Sequence, residues 1–112
     1  MELNARTEDN VTILYLGGRF DAYETTPIAE WFKYTAATPP AHIVVNMFDV
    51  MFVDSTGLAT LVQGMKYCQG NNGNLHICCL QRSVRTIFNL TRLDKAIPIF
   101  NTEEDAINAF TH

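Results

Sequence analysis

The sequence predicts an α/β domain with a mixed, largely parallel β-sheet and about four helices. Short runs rich in β-branched residues alternate along the chain with segments of helical periodicity. The resulting order is β-β-α-β-α-β-α-β-α, which favours parallel strands joined by right-handed helical crossovers. No linker, repeat or low-complexity segment interrupts this alternation, so a single domain spanning residues 1–112 is expected.

The first three elements are two strands and a helix. Residues 3–6 are expected to form a short edge strand and residues 11–16 the next strand, with a turn around Asp9-Asn10. Thr26 is the predicted N-cap of the following helix, because Pro27 then occupies the first helical position, where its missing N–H costs nothing. A proline pair ends this unit.

The middle of the chain contains the clearest helix. Residues 43–47 are predicted to form a buried strand, which residues 51–53 extend or follow. From residue 58 onwards, apolar side chains keep to one helical face over three turns: Leu58, Leu61, Val62, Met65 and Cys68. The Gly-Asn-Asn-Gly segment at residues 70–73 ends this helix with residues that tolerate positive φ.

The last third repeats the alternation of strand and helix. Residues 75–80 are a predicted strand, Gln81 or Ser83 opens the next helix, and residues 96–100 form a short final strand. The inward face of that helix is predicted to hold Val84, Ile87, Phe88 and Leu90. An acidic first turn at residues 102–105 indicates a last helix, packed through Ala106, Ile107 and Phe110.

Composition limits the possible classes of function. With 112 residues, 47% of them hydrophobic and 18% charged, the chain is typical of a soluble globular protein. No apolar run is long enough to cross a bilayer, and the first residues lack a signal-peptide pattern, which favours the cytoplasm. A net charge of −4 opposes non-specific binding to nucleic acid. Buried, reduced thiols are expected at Cys68, Cys78 and Cys79.

Motifs for catalysis or metal binding are missing from the sequence. His42, His76 and His112 are far apart and have no second ligand at metal-binding spacing, and His76 alternates with apolar residues as a packed strand residue does. No phosphate-binding glycine loop is present, and no histidine is placed as a base near Ser55. The chain is therefore predicted not to be an enzyme.

Charge is distributed unevenly along the chain. The first 54 residues carry eight acidic and three basic residues, whereas four of the eight basic residues fall within residues 82–95. These four are Arg82, Arg85, Arg92 and Lys95. A solvated helix face accounts for such a cluster, and a docking patch for an acidic partner is the alternative.

Residues 50–58 form the most informative segment, an apolar strand end followed by Asp-Ser-Thr-Gly and the start of the long helix. Ser55 is the predicted N-cap, a position that serine favours. Gly57 then falls in the first turn, where the missing side chain would leave backbone N–H groups open to a ligand. A hydroxyl held at this place can also bind an anion or carry a phosphate, and the two roles are compatible.

Three segments together resemble the STAS domain: residues 18–21 (Gly-Arg-Phe-Asp), residues 52–58 (Phe-Val-Asp-Ser-Thr-Gly-Leu) and residues 83–95. From about residue 3 to residue 110 the chain is most similar to the bacterial anti-sigma factor antagonists, single-domain members of that family. Arg92 stands where many members have glycine just past a helix end, and because a side chain at positive φ is costly, the turn is expected to differ locally there. Asn46 stands where many members have aspartate.

The resemblance implies a function and a set of site residues. Ser55 would be phosphorylated by an anti-sigma factor that is also a serine kinase, and the unphosphorylated form would bind that factor and free the sigma factor. A phosphatase would reverse the modification, and ATP would belong to the kinase, so this chain would need no cofactor. The implied partner-binding residues are Asp21, Asp54, Ser55, Thr56 and Gly57.

Other uses of the same fold stay open from the sequence. A stand-alone STAS subunit of a stress-sensing complex or of a membrane lipid-transport complex is the first alternative. Binding of a small molecule or nucleotide is a third class, which tight nucleotide binding by the isolated chain would support.

Overall fold

Residues 1–110, which the computed structural model describes, contain five strands and four α-helices. The strands are β1 (Glu2–Glu8), β2 (Val11–Phe20), β3 (His42–Val53), β4 (Asn74–Cys78) and β5 (Ile99–Phe100), and the helices are α1 (Thr25–Thr35), α2 (Ser55–Gln69), α3 (Arg82–Leu90) and α4 (Glu103–Asn108). One sheet holds the strands in the order β1-β2-β3-β4-β5. Strand β1 is antiparallel to β2 and the other neighbours are parallel. The predicted fold class and element order are confirmed.

The turn between β1 and β2 consists of Asp9 and Asn10. Both residues have positive φ, 51° and 68°, and Glu8 pairs with Val11 across the ladder. A two-residue turn with this backbone matches the twist of antiparallel strands, and Asp and Asn adopt it more readily than other non-glycine residues. The predicted turn is confirmed, and strand β1 extends beyond the expected residues 3–6.

Helices cover both faces of the sheet. On one face, helices α1, α2 and α3 bury the larger apolar cluster, to which they contribute Phe32, Leu61 and Phe88. On the opposite face, α4 packs through Ala106 and Ile107 in a smaller cluster. Neighbouring residues of a strand point to opposite faces, so alternate residues of β2 and β3 supply the two clusters.

His76 attaches helix α4 to the sheet. This residue is only 6% exposed, and its Nδ1 donates a 2.9 Å hydrogen bond to the carbonyl oxygen of Ala106. The imidazole stacks on the ring of Phe110 at 3.8 Å between centroids, and His42 stacks on the same ring. Burial lowers the pKa of His76, with the Ala106 bond opposing the change. The neutral ring therefore fits this place, and the predicted role of a packed strand residue is confirmed.

Two of the three cysteines are buried. Cys68 and Cys78 lie in the core, Cys79 is partly exposed, and all three are free thiols. Burial raises the pKa of the Cys68 thiol to about 12, so it stays protonated and unreactive at neutral pH. The expectation of buried, reduced thiols is confirmed for Cys68 and Cys78.

Helix α1 begins two residues earlier than predicted. Its N-cap is Glu24, which makes no side-chain capping bond, and Thr25 is already helical. The backbone N–H of Glu24 donates to the carbonyl oxygen of Asp21, so the turn that starts the helix forms before Thr26. The prediction of Thr26 as the cap is therefore wrong.

The end of helix α3 contains a left-handed residue and one wrong prediction. Arg92 follows the helix with φ 64° and ψ 15°, the left-handed conformation that a glycine would adopt, at a cost of roughly 1 kcal/mol for a residue with a side chain. Leu90 was expected to face inward, yet it is 78% exposed. It lies two residues after buried Phe88, which is about 200° around the helix.

Strand β3 contains two extra residues relative to β2. Tyr15 and Gly17 pair with Asn46 and Asp49, so β3 uses three steps where β2 uses two. A second shift follows, because Gly18 and Arg19 are adjacent while their partners Val50 and Phe52 are not. Strand β4 ends opposite Asn46. Residues 47–53 of β3 therefore continue with β2 as the only neighbouring strand among the described residues.

Candidate functional site

Strands β2 and β3 end side by side, since Phe20 pairs with Val53. The two turns that follow, together with the start of helix α2, are called the carboxyl edge below (residues 20–24 and 53–57). In open α/β sheets, ligands and partners meet the protein beyond the carboxyl ends of parallel strands. The site residues expected from the sequence all fall within this edge.

Asp54, rather than Ser55, is the N-cap of helix α2. Its backbone is extended, with φ −100° and ψ −176°, whereas Ser55 is already helical. Its Oδ1 accepts a 2.9 Å hydrogen bond from the backbone N–H of Gly57. Its Oδ2 accepts a 3.1 Å bond from the backbone N–H of Ala22. A carboxylate can make both bonds and a serine hydroxyl cannot span both places, so the prediction of Ser55 as the cap is wrong.

The second bond of Asp54 connects two loops. Ala22 belongs to the turn after β2, and Asp54 belongs to the turn after β3. One carboxylate therefore caps helix α2 and also fixes the neighbouring turn against it. This link places Asp21 and Asp54 on adjacent turns of the same edge, in agreement with the expectation from the sequence.

Gly57 has a packing role instead of leaving its N–H open. The residue is buried, and its N–H is already bonded to Asp54. A Cβ built on it would overlap the carbonyl oxygen of Phe20 and lie 3.0 Å from Cγ1 of Val53. The missing side chain therefore lets the first turn of α2 sit directly on the ends of the two strands. The expectation of an open backbone N–H is therefore wrong for Gly57 itself.

Ser55 and Thr56 occupy the first two positions of helix α2. Both side chains are exposed, and within residues 1–110 the Ser55 hydroxyl makes no hydrogen bond. The carbonyl oxygen of Thr56 accepts a 2.9 Å bond from the hydroxyl of Thr60, one turn further along. Because Asp54 caps the helix, the Ser55 hydroxyl remains free at a fixed position next to the positive end of the helix dipole.

Asp21 is held in the turn after β2. Its Oδ1 accepts a 3.1 Å hydrogen bond from the backbone N–H of Tyr23, and its Oδ2 lies 3.6 Å from Nε of Arg19. The guanidinium of Arg19 in turn stacks over the ring of Phe52, 4.1 Å from its centroid. These contacts connect the ends of β2 and β3 on the side of the edge away from α2.

Three large apolar side chains at or near the edge were missed from the sequence. Tyr23 is 94% exposed, Met51 69% and Phe48 65%. A strand pattern alone predicts that Phe48 and Met51 alternate between core and solvent, but the extra residues in β3 shift that alternation. For Tyr23 the usable signal was its place two residues after Asp21, where aspartate commonly forms a local turn.

The basic residues of α3 belong to the helix that follows β4, the strand next to β3. Arg82 and Arg92 are exposed and Arg85 is half-buried, and Arg85 donates a 3.3 Å bond to Oδ1 of Asn101. No acidic residue lies on this helix. The surface of α3 is therefore positive, and both a solvated face and a docking patch remain compatible with it.

Residues 1–110 contain neither a cluster of metal ligands nor a helix suited to crossing a membrane. No group of three or more His, Cys, Asp or Glu side chains in this part of the chain could hold a metal ion. No helix in the same residues is long and apolar enough to span a membrane.

Comparison with known proteins assigns the fold to a family. The sequence pattern of the STAS domain matches residues 2–106, so the chain belongs to the STAS domain family. It is 28% identical over 95 residues to the anti-sigma-B factor antagonist of Staphylococcus epidermidis, covering 83% of this chain and 88% of that protein. It is 27% identical over 66 residues to the anti-sigma F factor antagonist of Paenibacillus polymyxa, where the match spans 59% of this chain and 56% of that relative.

Solved structures of similar fold agree with this assignment. An anti-sigma factor antagonist from Mycobacterium paratuberculosis superposes with a TM-score of 0.86 at 24% identity, covering 99% of this chain and 94% of that one. The Bacillus cell fate determinant SpoIIAA in its phosphorylated form gives a TM-score of 0.72 at 19% identity, covering 96% and 98%. At these identities the likeness shows the fold alone.

Proposed function

We propose that this chain is an anti-sigma factor antagonist whose binding is switched by phosphorylation of Ser55. The observation that carries the proposal is the division of roles at the start of α2. Asp54 supplies the cap, and the exposed Ser55 hydroxyl is left without a hydrogen bond to any of residues 1–110. The names of the relatives support the antagonist role. A protein of this fold described in a phosphorylated form supports the modification.

The proposed partner is an anti-sigma factor with serine kinase activity. The unphosphorylated chain binds this factor through Asp21, Asp54, Ser55 and Thr56 and so releases the sigma factor. The kinase contributes the ATP, so the chain itself carries no cofactor and catalyses no step. A phosphatase restores the binding form, and the exchange takes place in the cytoplasm.

A phosphate on Ser55 acts on the interface and leaves the fold intact. Negative charge at a helix N-terminus is favourable by roughly 0.3–1 kcal/mol. The same phosphate adds about −1.5 to −2 charge beside the carboxylates of Asp54 and Asp21. A partner that brings nucleotide phosphates to this hydroxyl meets like charge there. It also has to desolvate a dianion, so the complex dissociates.

The proposal is tested by identifying the modified residue. The serine-kinase anti-sigma factors of the source genome are purified, and each is incubated with the chain and ATP. Mass spectrometry then locates phosphate within residues 54–57. Phosphate is expected on Ser55 in the wild type and in Thr56→Ala, and none in Ser55→Ala. Phosphate on Thr56, or on neither hydroxyl with every kinase, would remove the proposal.

A further inference from the structure

The geometry of β3 points to a second part of the same interface. We infer that Phe48 and Met51, called the bulge pair below, form an apolar contact surface for the partner that docks at Ser55. This inference rests on the proposed function and extends it along β3, to residues that the sequence pattern did not single out. The partner chemistry it implies is an apolar patch with a basic rim.

The two register shifts of β3 place the bulge pair in solvent. Phe48 lies between Asn46 and Asp49, where β3 uses one step more than β2, and Met51 is the extra residue between Val50 and Phe52. Both remain largely exposed, although Met47 and Val50 beside them are fully buried. Bulges re-aim side chains and are common next to functional sites. Here each of the two irregularities presents one large apolar side chain.

The unpaired edge of β3 is closed to strand addition at this place. The backbone N–H of Phe48 donates to Oδ1 of Asn46 at 2.9 Å. Its carbonyl oxygen accepts from Nε2 of Gln81 at 2.5 Å. An incoming strand needs these two backbone groups to form a ladder. Recognition at this surface is therefore carried by the side chains of the bulge pair rather than by main-chain pairing.

The short distance along the chain from the bulge pair to Ser55, and the negative charge around it, indicate which partner covers the pair. Met51 precedes Ser55 by four residues, which is at most about 13 Å of extended chain. An interface of ordinary size uses roughly 20–30 residues on each side, enough to include both members of the pair. Asp21, Asp49 and Asp54 contribute three carboxylates to this end of β2 and β3. Two guanidinium groups lie near them: Arg19 pairs with Asp21, and the exposed Arg82 follows Gln81, which bonds to Phe48. This surplus of negative charge fits basic residues around an apolar patch.

The test compares the bulge pair with equally exposed apolar residues elsewhere. Phe48→Ser and Met51→Ser are the test variants. Tyr34→Ser on α1 and Leu90→Ser at the end of α3 are the matched controls, because the wild-type side chains there are 84% and 78% exposed. The probe is the purified anti-sigma kinase that phosphorylates Ser55 of the wild type. Its Kd is measured by calorimetry, and thermal melts check that each variant is folded.

A loss of affinity confined to the bulge pair is the expected result. Each test variant should bind about tenfold or more weakly, the effect of truncating an anchoring apolar side chain. The controls should stay within about twofold, and all four should melt like the wild type.

Two results overturn the inference while the proposed function stands. One is unchanged affinity in both test variants. The other is a wild-type dimer in sedimentation that Phe48→Ser dissociates, because a second copy then covers the surface. If no anti-sigma kinase binds or phosphorylates the wild type, the proposed function fails and the inference fails with it.

Discussion

Helices α2 and α3 both begin at the same side of the sheet, and their first turns are built differently. The start of α2 is capped by Asp54, tied to the neighbouring turn through Ala22 and packed through Gly57. The start of α3 has Gln81 as N-cap without a side-chain capping bond, and no acidic residue lies in its first turn. The amide of Gln81 bonds instead to the carbonyl oxygen of Phe48.

The start of α2 has more stabilising interactions than are needed to form a helix. Helix α3 forms without a capping side chain because Val84 and Phe88 anchor it in the core. Helix α2 has its own apolar face, yet it also has a cap, a loop link and a buried glycine that fix the position of its first turn. That extra order holds one exposed hydroxyl in place, which a switch at Ser55 requires.

The largest effect is expected from adding a methyl group at the start of α2. Gly57→Ala should lower the free energy of unfolding by about 3 kcal/mol, because its Cβ overlaps the backbone of Phe20, which cannot move without displacing the strand. Gly70→Ala is the control, since the nearest atom there is 3.5 Å away. Urea unfolding of both variants measures the contrast. Equal stability of the two variants would contradict the tight packing of Gly57 against the strand ends.

The next largest effect is expected from removing the cap of α2. Asp54→Ala loses two hydrogen bonds to backbone N–H groups and should cost about 2 kcal/mol. Gln81→Ala removes one bond to an exposed residue at the start of α3 and should cost about 0.5 kcal/mol. The two unfolding free energies are measured side by side. A larger loss at Gln81 would reverse the proposed contrast between the helix starts.

The stability of the fold is expected to depend on pH through His76, which lies beneath helix α4. Burial lowers the pKa of His76 from its ordinary value of 6.5. Above pH 6.5 the ring is neutral in both the folded and unfolded chain. As the pH falls below 6.5, the unfolded chain binds a proton that the folded chain does not, and stability falls until the pKa of the folded state is passed.

Urea unfolding at pH 7.5 and pH 5.5 checks this direction. The wild type should lose stability between the two values, and His76→Gln should lose less. The loss of stability at pH 5.5 should also appear as faster amide hydrogen exchange in residues 103–108 of helix α4. An identical pH response in the variant would assign the effect to other groups.

The sequence was sufficient to predict the helices and strands, but not the residues at which the helices begin. Apolar periodicity and the acidic first turn of α4 identified the four α-helices and the order of the elements along the chain, because the apolar faces that form the core repeat regularly. The cap of α2 was misassigned because the choice between Asp54 and Ser55 depends on Ala22, which is distant in sequence. The burial of Gly57 depends on Phe20 in the same way, and the two shifts in β3 become visible only when it pairs with β2.

The smallest effect is expected at the residue on which the proposed function depends. Ser55→Ala should change the free energy of unfolding by less than about 0.5 kcal/mol, because the hydroxyl is exposed and Asp54 provides the cap. A loss of about 1 kcal/mol or more, as for a removed N-cap, would show that Ser55 stabilises the helix after all. Thr56→Ala serves as the matched control at the next position.

The most direct test of the account combines stability and binding in one sample. The chain phosphorylated on Ser55 is melted beside the unmodified chain, and both are titrated with the anti-sigma kinase. The account predicts melting temperatures within about 4 °C of each other and loss of binding after phosphorylation, with Ser55→Asp and Ser55→Glu behaving alike. A collapse of the melting temperature, or binding that survives the phosphate, would contradict a switch that acts on the interface.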